Sequence, residues 1–197
     1  ENRDQTDDHI TREAAEAIHT HKVGIKCATI TPNQARVEEY KLKKEYKSPN
    51  GTIRNTLGGT VFRAPIVIKN IPRLVPAWQR PIVVARHAHA DQYKALEMNI
   101  DTPGSLSMKF SAVDTSIREE TLHEYKTPGI AMGMYNTQES IEDFARSCFA
   151  YGLSVKYPVY FSAKDTILKV YDTAFRDTFQ HIFETEFRKR FVAAGIF

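Results

Sequence analysis

The sequence predicts an α/β fold with an inserted antiparallel β segment, and three observations carry that expectation. A mostly apolar run, Val23 to Ile30, is followed by Thr31-Pro32-Asn33-Gln34, which offers a capping residue, a proline at the first helical position and a glutamine at the third. That strand-then-helix order is the signature of a layered α/β domain. From Pro103 onward, Leu106, Met108, Phe110 and Ala112 alternate with Ser105, Ser107, Lys109 and Ser111, the period of an antiparallel strand with one wet face. Finally, Asn136 with Glu139 forms a capping box before Ile141, Phe144, Ala145, Cys148 and Phe149, which recur at helical spacing.

In chain order, Thr11 is expected to cap a helix through about His21, burying Ala14, Ala15, Ala17 and Ile18. Val23 to Ile30 reads as a strand covered on both faces, and Pro81 to Ala85 as a second one, with Pro65 to Ile71 a short apolar segment between them. Asp114 to Glu120 reads as a polar connection between two alternating runs, the second from Thr121 to Lys126, which points to a hairpin-built insertion. Apolar strands are expected at Pro128 to Tyr135 and Tyr157 to Phe161. A helical tail follows, striped by Phe175, Phe179, Ile182, Phe183, Phe187 and Phe191.

Composition narrows the function classes. With 42% hydrophobic and 26% charged residues the chain is globular in type, and no apolar run reaches membrane-spanning length. A net charge of +3, with no interleaved basic and aromatic stripe and no zinc-finger spacing, gives no case for nucleic-acid binding. Cys27 and Cys148 sit in apolar contexts and read as reduced core residues. Neither a dinucleotide fingerprint G-x-G-x-x-G nor a P-loop is present.

The chemistry concentrates between Lys47 and Arg63. Ser48, Asn50 and Thr52 stand on a Pro-Asn-Gly turn whose N–H groups can cradle an anion, and Arg54 and Arg63 flank a glycine pair. Arg86 is a third arginine in similar company. Arginine forks suit carboxylates and phosphates, so the set points to a small polyanion; the plainer reading is an ordinary turn with surface arginines. Lys26, Thr29 and Thr31 fall at the carboxyl end of the first expected strand and Arg36 a turn into the next helix, where α/β proteins gather ligands, although strand-end and capping roles account for them equally. His87 and His89, without a third ligand, make a poor metal site.

Several blocks carry a resemblance to the eukaryotic-type NADP-dependent isocitrate dehydrogenases across essentially the whole chain. They are Lys26-Cys-Ala-Thr-Ile-Thr-Pro32, Lys47-Ser-Pro-Asn-Gly-Thr-Ile-Arg-Asn55, Gly58-Gly-Thr-Val-Phe-Arg63, Lys69-Asn-Ile-Pro-Arg-Leu-Val75, Ala131-Met-Gly-Met-Tyr-Asn136, Ser140-Ile-Glu-Asp-Phe144 and Thr166-Ile-Leu-Lys169. The resemblance implies an isocitrate/isopropylmalate dehydrogenase-like three-layer fold, incomplete here, with residues 1–72 in a large α/β domain, 73–102 opening a small domain, 103–136 a clasp-like β insertion and 137–197 a small-domain α/β segment.

It also implies oxidation of isocitrate by hydride transfer to NADP and decarboxylation to 2-oxoglutarate, assisted by Mg or Mn. By motif match Thr31, Ser48, Asn50, Arg54, Arg63 and Arg86 bind the substrate, Lys26, Thr29, Thr31, Arg36 and Asn50 meet the cofactor, Tyr93 is the general acid, and Lys164 assists proton transfer across a dimer interface. A clasp from about Leu106 to Tyr135 implies a dimer or a larger assembly, in the mitochondrial matrix or the cytoplasm, with the basic pI leaning to the former.

The family extends beyond both ends of these residues, and its metal carboxylates and adenine loop fall outside them, so these 197 residues alone are expected not to turn over isocitrate. The alternative is a catalytically inactive structural subunit. Ala85, Ala90, Ala64 and Asp165 stand where the family has other residues, and alanine at a position of positive φ strains a loop.

Overall fold

The computed structural model describes residues 2–196, and these divide into two compact units. The first takes the chain up to Tyr93 together with the residues from Asn136 on, and the second is Lys94–Tyr135. The chain is α/β, with small antiparallel sheets.

In the first unit, α1 (Asn2–Gln5) and α2 (His9–His21) precede α3 (Gln34–Glu39) and α4 (Pro49–Leu57). Helix α2 begins after Asp8 rather than at Thr11. Thr11 lies buried in its first turn, donating to Asp8 Oδ1 at 2.6 Å, and the buried stripe is Thr11 and Ala15, with Ala14 and Ala17 exposed. Helix α3 is capped by Asn33, which accepts from the Arg36 N–H at 3.2 Å, so the cap falls two residues beyond Thr31. Asparagine satisfies the free N–H groups of a first turn as well as threonine does.

Strands β1 (Thr60–Arg63) and β2 (Val84–His87) pair antiparallel, with Val61 opposite Arg86 and Arg63 opposite Val84. Because side chains alternate across a strand, Phe62, Ala85 and His87 share one face, and Val61, Arg63 and Arg86 share the other. Phe62 and Ala85 pack on the core, where Phe62 stacks on Tyr151 at 4.2 Å.

That core is built by α5 (Gln138–Val155), α6 (Tyr171–Ile182) and α7 (Arg188–Ala193), with a π turn at Phe183–Phe187 between the last two. Thr137 caps α5, accepting from the Ser140 N–H at 3.3 Å, so the expected Asn136 cap is displaced by one residue. Phe175, Phe179, Phe183, Phe187 and Phe191 follow one another at four-residue spacing, a drift of about 40° per step around an ideal α-helix. The wider π turn reverses that drift. It keeps Phe179, Phe183, Phe187 and Phe191 all within ring contact of Phe149, at 5.4–6.0 Å.

Two expected strands do not form and a third is cut short. Val23 to Ile30 and Tyr157 to Phe161 have no ladder partner among the described residues, Ile25 is 95% exposed, and of Pro81 to Ala85 only Val84 and Ala85 pair, in β2. An apolar run becomes a buried strand only where a neighbouring backbone takes up its N–H and C=O groups. The residues around Pro81 and Tyr157 instead line an apolar cavity of about 980 Å³ with Phe62, Phe144 and Phe179.

The second unit consists of two antiparallel pairs: β3 (Leu96–Ile100) with β6 (Gly129–Gly133), and β4 (Gly104–Ser111) with β5 (Ile117–Tyr125). The β5 strand starts earlier than the alternation suggests, since Ile117 to Glu120 extends the ladder, and a bulge interrupts β4 between Leu106 and Ser107. The Tyr125 hydroxyl donates to the Ile130 carbonyl at 2.7 Å, and its ring fills the space beside Gly129.

The cysteines differ from their expected common burial. Cys27 is exposed, whereas Cys148 is buried and its thiol is pushed up to about 12 by desolvation. Since the thiolate is the nucleophile, a small alkylating reagent at neutral pH is expected to label Cys27 alone in the folded protein, and both after denaturation, as read by mass spectrometry.

Candidate active site

The Pro-Asn-Gly sequence folds into the first turn of α4 and not into a separate turn. Proline occupies the first helical position after Ser48, and the N–H groups of Gly51 and Thr52 bond the Ser48 carbonyl at 3.0 and 3.3 Å. What faces an approaching anion here is therefore a helix N-terminus and its dipole, not a turn. Asn50 and Arg54, one turn apart on α4, line a cleft of about 370 Å³ with Lys26, Cys27, Ala28 and Ile53. The Lys26 ammonium is folded back onto the Cys27 carbonyl at 2.9 Å and the Thr29 hydroxyl at 3.1 Å. Thr31 and Arg36 are not among the cleft's lining residues.

The second group of candidates stands on the β1–β2 pair. Arg63 and Arg86 project from one face as diagonal neighbours. The Arg86 guanidinium lies 4.8 Å from the centre of the Tyr93 ring. The Tyr93 hydroxyl is buried and has no hydrogen-bond partner among the described residues, so it is free to give a proton to a bound molecule. Helix α4 is tied to this group, because the Ala90 N–H donates to Asn55 Oδ1 at 2.9 Å.

Lys164 lies on an exposed segment whose backbone N–H donates to Asp172 at 2.6 Å; no contact to Arg86 or Tyr93 is seen. Asp165 pairs with Arg176 and not with its neighbour Lys164.

The sequence reading missed a half-buried polar cluster. The His87 Nδ1–H donates to Asp91 Oδ2 at 3.0 Å, the Ser140 hydroxyl lies 2.9 Å from His87 Nε2, and Asn136 Nδ2–H and the Tyr171 hydroxyl both donate to Asp91 Oδ1, the former at 2.9 Å. An ionised carboxylate only accepts, which places the His87 proton on Nδ1. The signal was present as a histidine four residues before an aspartate. Burial pushes the Asp91 carboxyl up, but the bonds from His87, Tyr171 and Asn136 outweigh it and hold the group below its ordinary 3.8. A depressed folded pKa gives a contribution that is whole above 3.8 and is lost as pH falls through the lower folded value. The thermal-stability advantage of the parent over Asp91→Asn is therefore expected to shrink below about pH 4.

Ala90 has φ 48°, so alanine does occupy a left-handed position here, as does Asp91 at 46°. Such a residue costs about 1 kcal/mol. Ala85 lies in regular strand β2, where no such cost arises.

Together these features place two arginines on one sheet face beside a tyrosine whose buried hydroxyl has no partner among the described residues, on an α/β framework. Residues 1–191 match the isocitrate/isopropylmalate dehydrogenase family, and the chain belongs to it. It is 56% identical over 198 residues to isocitrate dehydrogenase (NADP) 1 of Mycobacterium tuberculosis, covering 100% of this chain and 48% of that protein. It is 58% identical over 196 residues to the isocitrate dehydrogenase (NADP) of Sphingobium yanoikuyae, with 48% of that protein covered. Against the human mitochondrial isocitrate dehydrogenase (NADP) it is 56% identical over 191 residues, covering 96% of this chain and 42% of that protein. The chain spans about half the length of the curated relatives it matches.

Proposed function

We propose that these residues form the substrate-binding part of an NADP-dependent isocitrate dehydrogenase, with a tricarboxylate held by Arg54, Arg63 and Arg86. The observation that carries this reading is Arg63 and Arg86 on one sheet face, with Tyr93 under Arg86 and its hydroxyl unpartnered. Guanidinium forks neutralise the carboxylates and fix the hydroxyl-bearing carbon, while Ser48, Asn50 and Thr31 add neutral donors. Bound NADP would supply the hydride acceptor for that carbon. The donor set of Lys26, Thr29, Thr31, Arg36 and Asn50 suits its ribose and phosphate oxygens, and Lys26 and Asn50 already share a cleft.

Loss of carbon dioxide from the β-keto acid leaves an enolate, and the Tyr93 hydroxyl delivers the proton to its carbon; Lys164, supplied by a second subunit, returns a proton to Tyr93. The family's reaction also uses Mg or Mn. Among the described residues no group of three or more His, Cys, Asp or Glu side chains comes together to hold such an ion. A dimer through the second unit suits the exposure of Met108, Phe110, Leu122, Ile130 and Met132 on its strands. The compartment proposed is the mitochondrial matrix or the cytoplasm, and no helix among the described residues is long and apolar enough to cross a membrane.

The catalytic reading is preferred to that of an inactive structural subunit because Arg63, Arg86 and Tyr93 are brought together. NADPH formation by the complete protein from isocitrate, NADP and Mg tests it. Turnover with isocitrate and none with a dicarboxylate lacking the third carboxyl is expected, and no turnover under any of these conditions would contradict it.

A further inference from the structure

Behind the arginine face lies a cluster that takes no part in the chemistry above. The loop from Arg86 to Tyr93 leaves β2, passes through two consecutive left-handed residues, Ala90 and Asp91, and closes in a single 3₁₀ turn over Asp91–Tyr93. Two such residues are individually disfavoured, alanine more than aspartate, and persist only where surrounding contacts over-determine them.

We propose that His87 and Asp91, held by Asn136, Ser140 and Tyr171, form a positioning clamp that sets Arg86 and Tyr93 for the tricarboxylate; this rests on the reading of the site just given. His87 sits on the face of β2 opposite Arg86, wedged against the Phe144 ring at 5.0 Å and the Phe175 ring at 5.5 Å, so its imidazole is fixed by the core. Its bond to Asp91 joins the strand end to the far side of the left-handed turn at 3.0 Å. Asn136 reaches Asp91 from the residue before the α5 cap, held in turn by the Thr137 N–H bonding its Oδ1 at 2.9 Å, and Tyr171 reaches it from the start of α6. Asp91 thus accepts from three donors on three elements, and its two neighbours along the loop are the strained Ala90 and the Gln92 that precedes Tyr93. None of the five side chains is among the residues lining the cleft of Lys26 and Asn50, so the clamp acts on Arg86 and the Tyr93 phenol and leaves these two cofactor contacts alone.

The test is made in the complete protein with Asp91→Asn, because asparagine accepts the left-handed conformation while losing the charge that gathers the three donors. The KM for isocitrate is expected to rise about tenfold while the KM for NADP stays within about twofold. Amides of residues 88–93 are expected to exchange hydrogen about tenfold faster. Tyr171→Phe removes one donor, leaves the ring beside Phe175 at 5.7 Å, and is expected to shift the same quantities in the same direction by less; it carries the test if Asp91→Asn does not fold. An isocitrate KM unchanged in both variants, or equal shifts in the two KM values, overturns the clamp. If the parent does not turn over isocitrate, the functional reading fails by itself. Exchange at 88–93 then decides the clamp, faster in the variants upholding it and equal exchange overturning it.

Discussion

Arg54→Ala is expected to lower kcat/KM for isocitrate by roughly a hundredfold while leaving the fold intact. The magnitude follows from two charge-assisted hydrogen bonds at about 1.5 kcal/mol each, together ~3 kcal/mol. The fold should survive because Arg54 makes no ion pair or side-chain hydrogen bond with the described residues, so its removal orphans nothing in the protein itself. Arg54→Lys separates charge from geometry. A lysine keeps the positive charge but not the planar fork, so about a tenfold loss should remain. Steady-state rates at varied isocitrate, with circular dichroism as the control on folding, measure both. A drop below about threefold for Arg54→Ala would remove this residue from the substrate site.

The largest effect on stability is expected from Phe149→Ala. Phe149 is 7% exposed and lies at the centre of four rings, Phe179 at 5.7 Å, Phe183 and Phe187 at 5.4 Å and Phe191 at 6.0 Å. Truncation removes the ring's transfer free energy and leaves a cavity that a set of interlocked aromatics cannot close, at a cost of about 3–5 kcal/mol. Lys189→Ala, at an exposed residue of α7, should cost less than about 0.5 kcal/mol. Urea unfolding of the two variants and the parent gives the comparison. Equal shifts in the two midpoints would show that the aromatic stripe is not the core it is taken to be.

What could be read from the residues divides along physical lines. Helices α5 and α6 and the paired strands of the second unit were legible because their patterns are local: helical spacing from Ile141 to Phe149, and strict alternation from Ser105 to Ala112. Their caps and ends slipped by one to four residues, since Thr137 and Asn33 cap as well as Asn136 and Thr31. The strands expected at Val23 and Tyr157 did not form, and the one expected at Pro81 to Ala85 begins only at Val84. An apolar run states that a segment wants cover, but whether it becomes a strand depends on a partner distant in sequence.

The site divides the same way. Arg54, Arg63 and Arg86 stood out by type, and the sheet register then put two of them on one face. Of the cluster around Asp91 only the His87–Asp91 spacing was local; Asn136, Ser140 and Tyr171 lie 45 to 80 residues away from Asp91 and only folding assembles them. The π turn at Phe183–Phe187 was likewise hidden, although the unbroken four-residue spacing of phenylalanines now explains why the helix needs it.

The measurement that bears most directly on the central claim is calorimetric binding of isocitrate to the complete protein and to its Arg54→Gln, Arg63→Gln and Arg86→Gln variants at fixed ionic strength. If the three guanidinium groups hold the tricarboxylate, the parent binds it and each substitution weakens binding by about tenfold or more. Binding as strong as the parent's in all three variants, or none in the parent, would contradict the account.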